Sequence, residues 1–213
     1  MEDILKLFDE KRSEIELLRK QVHDFFELDS KLNTGSLPIV HSVKSRIKDK
    51  DHLKKKLERK KEVTPENFFE KITDLAGVRV LHLYQDQFQS IHEAIIDKIE
   101  EKHDWVLGEA PKAYTWDPES KSFFERLGLK VEQKESFYTS IHYLVKPHKD
   151  FPFYCEIQVR TLFEEIWGEI DHSINYPVMT ENIACKEQIR VLAKLVGAGS
   201  RLADSIFRSY TKS

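Results

Sequence analysis

The sequence has few cysteines, no long apolar run and no glycine-rich phosphate-binding motif. Its two cysteines, Cys155 and Cys185, lack the spacing of a zinc site, so we interpret them as free thiols of a cytoplasmic protein. No apolar run approaches the roughly 18 residues of a membrane span, and the charged N-terminus is unlike a secretory signal. Neither GxxxxGK[ST] nor GxGxxG occurs, which excludes a P-loop and a Rossmann cradle. A phosphate site in this protein would therefore have to use side-chain cations.

Charge of both signs is abundant in the 213 residues, and the formal net charge is only −3, as in a soluble globular protein. Apolar periodicity predicts a helix over residues 3–29 and a long helix over 181–209, where Gly197 and Gly199 allow a kink or a break. Strands and helices alternate between them. We predict an α+β fold with a mixed or antiparallel central sheet flanked by helices. The predicted division is an N-terminal helical arm (1–39), a central domain (40–178) and a C-terminal helical segment (179–213).

Two alternating segments predict a strand hairpin with one polar face. Residues 153–160 alternate, and Thr161 then caps a helix whose apolar residues recur every four positions, at Leu162, Ile166, Ile170 and Ile174. Residues 138–146 alternate as well, and a tight connection joins the two segments. Pairing of these strands would align six polar side chains, namely Tyr138, Ser140, His142, Glu156, Gln158 and Arg160.

A basic stretch precedes this hairpin. Residues 44–61 contain ten Lys or Arg and three acidic residues, and Arg46 and Lys48 would point the same way on a short strand before a helix over 50–60. Asp74 and Arg79 lie at the start of a predicted strand over 78–84. Each feature alone also fits an ordinary solvated surface or a turn. Residues 105–135 are irregular and are interpreted as an insertion or flap with a short helix at 119–127.

Together these residues suit phosphoryl-type transfer, which needs cations for a polyphosphate, carboxylates for a metal and a base, and a way to hold the acceptor. The cations are Arg46, Lys48 and Lys56, with Arg79 beside them; the carboxylates are Asp74 and Glu156. Tyr138 offers a ring on which a base could stack. The residues alone therefore predict a nucleotide-handling transferase.

Four motifs also occur in the order found in one known family. The segments SRIKDKDHLKKKLERK, ITDLAGVRV, YTSIHY and EIQVRT…W…DHSINY resemble RelA/SpoT-type (p)ppGpp synthetase domains over roughly residues 40–176. The resemblance implies a nucleotidyltransferase-like fold and transfer of the β,γ-pyrophosphate of ATP to the 3′-hydroxyl of GTP or GDP with Mg²⁺. It implies a stand-alone small synthetase without the family's hydrolase domain, and a homo-oligomer formed through the terminal helices.

The resemblance also implies a role for each matching residue. Arg46 and Arg79 would flank the adenine of ATP, while Lys48 and Lys56 would hold its phosphates. Asp74 would ligate magnesium, and Glu156 would help to bind the metal or activate the acceptor hydroxyl. The guanine nucleotide would contact three residues, Tyr138 by stacking and His142 and Gln158 nearby.

The chain departs from the family pattern on the acceptor side. The usual Gly-Tyr-Arg-Ser is Phe137-Tyr138-Thr139-Ser140, and Glu165 stands where small synthetases often carry asparagine. The segment between Asp74 and Tyr138 is about 20 residues longer. Two alternatives therefore stay open, a toxin-type relative that modifies the 3′ end of tRNA and a non-catalytic RNA-binding module. The presence of both Asp74 and Glu156 argues against the second.

Overall fold

The computed structural model describes residues 1–35, 37–134, 137–176 and 178–211. In these ranges a seven-stranded mixed sheet is flanked by helices, which confirms the predicted α+β class. The strands are β1 (Ser42–Ile47), β2 (Ala76–His82), β3 (Val106–Leu107), β4 (Lys112–Thr115), β5 (Lys130–Gln133), β6 (Ser140–Lys146) and β7 (Cys155–Thr161). The helices are α1 (Glu2–Glu10), α2 (Arg12–Leu28), α3 (Ser30–Asn33), α4 (Lys50–Arg59), α5 (Phe68–Lys71), α6 (Phe88–Glu100), α7 (Pro118–Arg126), α8 (Leu162–Asn175) and α9 (Ile183–Thr211).

The sheet order is β1-β2-β7-β6-β4-β5, and β3 pairs with the far end of β6. Strands β2 and β7 run parallel, with Arg79 opposite Gln158. Strands β6 and β7 form the predicted antiparallel hairpin, with His142 opposite Gln158. Because side chains alternate between the faces of a strand, this register places polar residues of four neighbouring strands on one face of the sheet.

The opposite strand positions and the N-terminal helices build the core. Strands β2, β6 and β7 bury apolar side chains at alternate positions, and α2 packs its apolar stripe against β1 and β2. Burial of each large apolar side chain stabilises the fold by about 1.5–3 kcal/mol. The division of the chain at residues 39/40 and 178/179 stays a prediction. The main core includes Ile4, Phe8, Ile15, Leu18, Val22 and Phe26 of α1 and α2.

Three predicted elements differ from the structure. The helix over 3–29 is interrupted at Lys11, where the backbone turns out of helical geometry (φ −94°, ψ 1°). The stretch 105–135 is not a flap: in its described part, β3, β4 and β5 join the sheet, and Asp117 caps α7 through the Ser120 amide. Helix α9 continues through its glycines without a break. Gly199 makes room for the Phe163 ring, because a Cβ there would lie 3.0 Å from it. The glycine therefore provides close packing and not a kink.

The predicted apolar stripe of α8 is wrong. Ile166 and Ile170 are 51% and 37% exposed, whereas Glu165 and Trp167 are buried. Trp167 Nε1 donates to the Ile189 carbonyl of α9 at 3.1 Å, and Glu165 faces cations of the sheet. The helix thus turns a charged side chain toward the sheet and leaves isoleucines open. No described helix has the length and apolarity to cross a membrane.

Candidate active site

An open cleft of about 450 Å³ lies over the polar face of the sheet, between β1, β2, β7 and α8. A basic groove of about 360 Å³ adjoins it and shares Arg46 and His172 with it. Eight of the nine predicted site residues line one or the other: Arg46, Lys48, Lys56, Asp74, Arg79, Tyr138, Glu156 and Gln158. The ninth, His142, contacts two of them. The structure therefore brings the predicted set together.

Asp74 lies between two lysines at the junction of cleft and groove. Lys48 Nζ donates to Asp74 Oδ2 at 2.6 Å, and Lys56 Nζ donates to Oδ1 at 2.8 Å. The Lys48 side chain is only 8% exposed, and its backbone amide is held by the Leu75 carbonyl at 2.8 Å. Burial alone would raise the pKa of Asp74, but the two ammonium groups lower it below the usual value. Asp74 is therefore ionised, and it balances both lysines when no ligand is bound.

Glu156, the second predicted carboxylate, is contacted by two side chains of the β6–β7 hairpin. His142 Nδ1 lies 3.3 Å from Oε1, and Gln158 Nε2 donates to Oε2 at 2.8 Å. Burial acts to raise the pKa of Glu156, but the contacts with His142 and Gln158, of which the His142 hydrogen bond has the largest effect, lower it overall. The charge of Asp74 acts to raise the same pKa, because both carboxylates face one cleft. Glu156 is thus an ionised acceptor in contact with an imidazole.

Two carboxylates on one cleft can hold a hard cation. Among the described residues no group of three or more His, Cys, Asp or Glu is arranged to hold a metal alone. Mg²⁺ does not require such a cage, because it keeps several waters and is bound through one or two carboxylates plus substrate phosphates. The carboxylate oxygens of Asp74 and Glu156 are ligands of the type that Mg²⁺ takes, and the adjoining groove is lined by cations such as Lys48 and Lys56.

Aromatic side chains form the other end of the cleft. The Tyr138 hydroxyl shares a hydrogen bond of 3.1 Å with His142 Nε2. Tyr114 of β4 packs edge-on against His142 with ring centroids 4.9 Å apart, and Lys134 Nζ lies 4.4 Å from the Tyr114 ring centroid. Sequence reasoning missed Tyr114 and Lys134 because it treated their segment as an insertion. With only four residues, β4 is too short to show the alternation that would have indicated a strand there.

The backbone just before Tyr138 is strained. Phe137 has a φ of 60°, in the left-handed region that favours glycine. Holding a non-glycine residue there costs about 1–2 kcal/mol. The Phe137 ring packs on Trp116 with centroids 5.0 Å apart, which offsets part of that cost. This is the position at which the family pattern has glycine.

A third feature is a buried ion cluster at the back wall of the cleft. Arg79 Nη1 donates to both carboxylate oxygens of Glu165 at 2.9 and 3.1 Å. Lys44 Nζ donates to Glu165 Oε1 at 3.0 Å, and Arg160 Nε lies 3.0 Å from Oε2 without the alignment of a hydrogen bond. The sequence marked Glu165 only as a departure, since two of its partners, Lys44 and Arg79, lie on strands far away in the chain. Arg160, predicted on the polar face, is buried.

Comparison with known proteins bears on what this cleft does. The model of the region found in RelA / SpoT proteins matches residues 45–181, which is more than half of the chain. The chain belongs to the RelA/SpoT family. Every residue of the predicted site, from Arg46 to Gln158, lies inside the matched range.

Two relatives from Bacillus subtilis (strain 168) are similar in sequence to this RelA/SpoT chain. GTP pyrophosphokinase YwaC is 27% identical over 143 residues, which is 67% of this chain and 60% of YwaC. GTP pyrophosphokinase YjbM is 27% identical over 172 residues, 78% of this chain and 70% of YjbM. The match to YwaC thus spans about three fifths of that protein.

Solved structures show that the fold is shared. Small alarmone synthetase 1 from Bacillus subtilis superposes with a TM-score of 0.72 at 19% identity, covering 98% of this chain and 97% of that one. The structure of that synthetase bound to its product pppGpp has a TM-score of 0.66 at 22% identity, covering 97% and 96%. Its structure bound to AMPCPP also has a TM-score of 0.66, at 19% identity and covering 98% and 97%.

Proposed function

We propose that this protein transfers the β,γ-pyrophosphate of ATP to the 3′-hydroxyl of GTP or GDP. The observation that carries the proposal is Asp74 held between Lys48 and Lys56. A magnesium nucleotide supplies both missing partners at once, anionic phosphates for the lysines and a cation for the carboxylate. Binding therefore exchanges one set of ion pairs for another without leaving a buried charge unpaired. The names of YwaC and YjbM, both GTP pyrophosphokinases, support this reading.

The donor base would bind between two arginines. The Arg46 side chain forms no ion pair or hydrogen bond within the described ranges, so its guanidinium is available to a ligand. Arg79 is anchored through Nη1 alone, which leaves its planar face open to the cleft. Guanidinium planes stack well on aromatic rings. Arg46 and Arg79 thus suit the adenine, while Lys48 and Lys56 suit the phosphates.

Asp74 and Glu156 would hold Mg²⁺, which neutralises charge that develops on the transferred phosphates when it is bound. The acceptor 3′-oxygen forms a bond to the β-phosphorus, the bond from that phosphorus to the α,β-bridging oxygen breaks, and AMP leaves. Glu156 accepts the proton of the 3′-hydroxyl, and His142 at 3.3 Å stabilises the carboxylate in its ionised form beforehand. Tyr138 would stack on the guanine, with Gln158 and His142 beside the acceptor nucleotide.

The test is incubation with γ-³²P-ATP and Mg²⁺ in separate tubes with GTP, GDP or bulk tRNA. Label on a guanine nucleotide supports the proposal, and identification of AMP as the second product shows that a pyrophosphoryl group moved. Label released only as free phosphate would contradict it. Glu156→Gln is the matched variant, because it keeps the shape and removes the proton acceptor. It should abolish transfer, while the AMPCPP affinity measured in EDTA, where no metal ligand is needed, stays within a few-fold.

A second candidate acceptor is the 3′ end of tRNA, and the surface of α4 favours it. Arg59 and Lys60 line the basic groove beyond the predicted phosphate lysines, and Lys55 and Lys61 project nearby; none of the four has an ion-pair partner in the part of the chain that the structure describes. Neutralising several phosphates of a nucleic acid makes binding strongly salt-dependent. Label on tRNA alone in the same experiment would favour this acceptor. RNA binding without any transfer would favour a non-catalytic module.

We also propose that a second copy of the chain covers the apolar face left open by α8 and α9. Its exposed apolar side chains, among which Leu195 is 63% exposed, are Ile166 and Ile170 of α8 and Val191, Leu195, Leu202 and Ile206 of α9. Exposed apolar surface of this extent is typical of interaction sites, and self-association agrees with the expectation drawn from the family resemblance. Light scattering after size exclusion tests it. Leu195→Glu should reduce the measured mass to that of one chain, and an unchanged mass would contradict the proposal.

A further inference from the structure

One buried carboxylate stands behind both halves of the cleft. The Glu165 side chain is only 4% exposed, and it meets cations from three strands: Lys44 of β1, Arg79 of β2 and Arg160 of β7. Burial would raise the pKa of Glu165, but these cations, Arg160 first among them, lower it. A carboxylate in such a place is too costly to bury without a full set of partners. Through these partners Glu165 acts on the two sides of the cleft in different ways.

On the donor side, Glu165 fixes the orientation of Arg79. Both of its oxygens accept from the same atom, Arg79 Nη1, and Glu169 Oε1 accepts from that atom at 2.8 Å from the exposed side. One corner of the guanidinium is therefore fixed, and the Arg79 side chain lines the cleft. These contacts restrict the orientation of the guanidinium.

On the acceptor side, Glu165 acts through Arg160. Arg160 Nε lies 3.0 Å from Glu165 Oε2, and the Arg160 guanidinium carbon lies 5.7 Å from the Tyr138 ring centroid. A cation over the face of a tyrosine is attracted to the ring and restricts it. Gly168 of α8 leaves the space that this arrangement needs, because a Cβ there would lie 2.8 Å from Arg160 Nη1.

We propose that Glu165 is a positioning residue that sets the donor-side Arg79 and, through Arg160, the acceptor-side Tyr138. The inference rests on the proposed nucleotide sites but not on the transfer reaction itself. Without the Glu165 charge, three cations on neighbouring strands repel one another, and Arg79 and Arg160 lose their common anchor. Both half-sites then loosen together. Neighbouring residues, in contrast, reach only one side each: Glu169 contacts Arg79, and Gly168 contacts Arg160.

The experiment measures equilibrium affinity for AMPCPP and, separately, for GDP by calorimetry in four variants. Glu165→Gln should weaken both ligands, each by about tenfold. Glu169→Gln should weaken AMPCPP alone, and Gly168→Ala should weaken GDP alone. Glu165→Asp, which keeps the charge, should restore part of both affinities. Thermal unfolding of each variant defines a temperature at which all of them are folded, and the titrations are made below it.

A purely structural role for Glu165 would lower the unfolding temperature without changing either affinity of the folded protein, and that result would overturn the proposal. Loss of AMPCPP affinity alone would overturn the acceptor half. If Glu165→Gln does not fold, Glu169→Gln and Gly168→Ala decide. The proposal requires the first to weaken only AMPCPP binding and the second to weaken only GDP binding. Binding is measured separately from turnover. The expected affinities in a protein that transfers no label would refute the proposed reaction and keep the inference. Normal transfer with unchanged affinities would support the reaction and refute the inference.

Discussion

The exchange of ion pairs at Asp74 makes a quantitative prediction for Asp74→Asn. The substitution leaves the ammonium of Lys48, 8% exposed, without its counter-ion, and breaking a fully buried pair costs about 3–5 kcal/mol. Lys56 and Asp74 are more exposed, and asparagine still offers an oxygen, so we expect a cost of about 2 kcal/mol. In a domain of this size that corresponds to an unfolding temperature lower by about 4–8 °C.

The same variant should show opposite effects on nucleotide binding with and without metal. Without Mg²⁺, Asp74→Asn frees Lys48 and Lys56 from a competing anion, so AMPCPP should bind more tightly than to the unchanged protein. With Mg²⁺ the variant lacks a metal ligand, so its affinity should fall below that of the unchanged protein, and turnover should be lost. Calorimetric titrations in EDTA and in Mg²⁺ measure both effects.

Asp9→Asn is the matched control, because Asp9 accepts from Lys50 at 2.6 Å in a pair that is exposed on both sides. Its removal should change the unfolding free energy by no more than about 0.5 kcal/mol and leave nucleotide binding unaltered. An Asp74→Asn protein with unchanged stability, or with weaker AMPCPP binding in EDTA, would refute the reasoning. The first result would show that the ion pairs contribute nothing in solution, and the second that Asp74 does not compete with phosphate for the lysines.

Three further changes test other parts of the cleft. Tyr138→Ala should weaken GDP binding by roughly 5- to 150-fold, the range of about 1–3 kcal/mol for stacking, with little effect on AMPCPP; equal effects would count against stacking. Phe137→Gly should relieve the backbone strain but remove the ring from Trp116, so a net loss of about 1 kcal/mol or more is expected in chemical denaturation, and a gain would show that strain dominates. Burial raises the pKa of Glu164 from 4.5 to about 7, so this group makes stability fall as the pH rises from about 4.5 to about 7. Glu164→Gln should therefore lose less unfolding temperature between about pH 5 and pH 8, and an identical profile would show that Glu164 is already ionised in the folded protein.

The elements predicted best from the sequence are strands with a strict alternation of apolar and polar residues. Strict alternation identified both strands of the hairpin, and the hairpin in turn put Glu156, Gln158 and His142 within reach of one another. The same kind of reasoning failed for α8, where isoleucines at every fourth position indicated a buried stripe. Glu165 is buried in their place because three cations from separate strands surround it, and no window of a single helix contains that information. Strands of two to four residues, such as β3 and β4, are also too short to show a period.

The departures from the family pattern around Tyr138 are linked through β4. Three consecutive residues at the end of β4 meet three consecutive residues before β6. Tyr114 packs near Tyr138 with ring centroids 6.4 Å apart, the Thr115 and Thr139 hydroxyls share a hydrogen bond of 3.0 Å, and Trp116 packs at a tilt against Phe137 with ring centroids 5.0 Å apart.

Thr139, at the position where the family pattern has arginine, is buried, and its hydroxyl shares a hydrogen bond with that of Thr115. Phe137 and Thr139 therefore each have a partner at the end of β4, Trp116 for the ring and Thr115 for the hydroxyl. Restoring the family residue at one position alone should destabilise the protein, because it would leave the β4 partner unpaired.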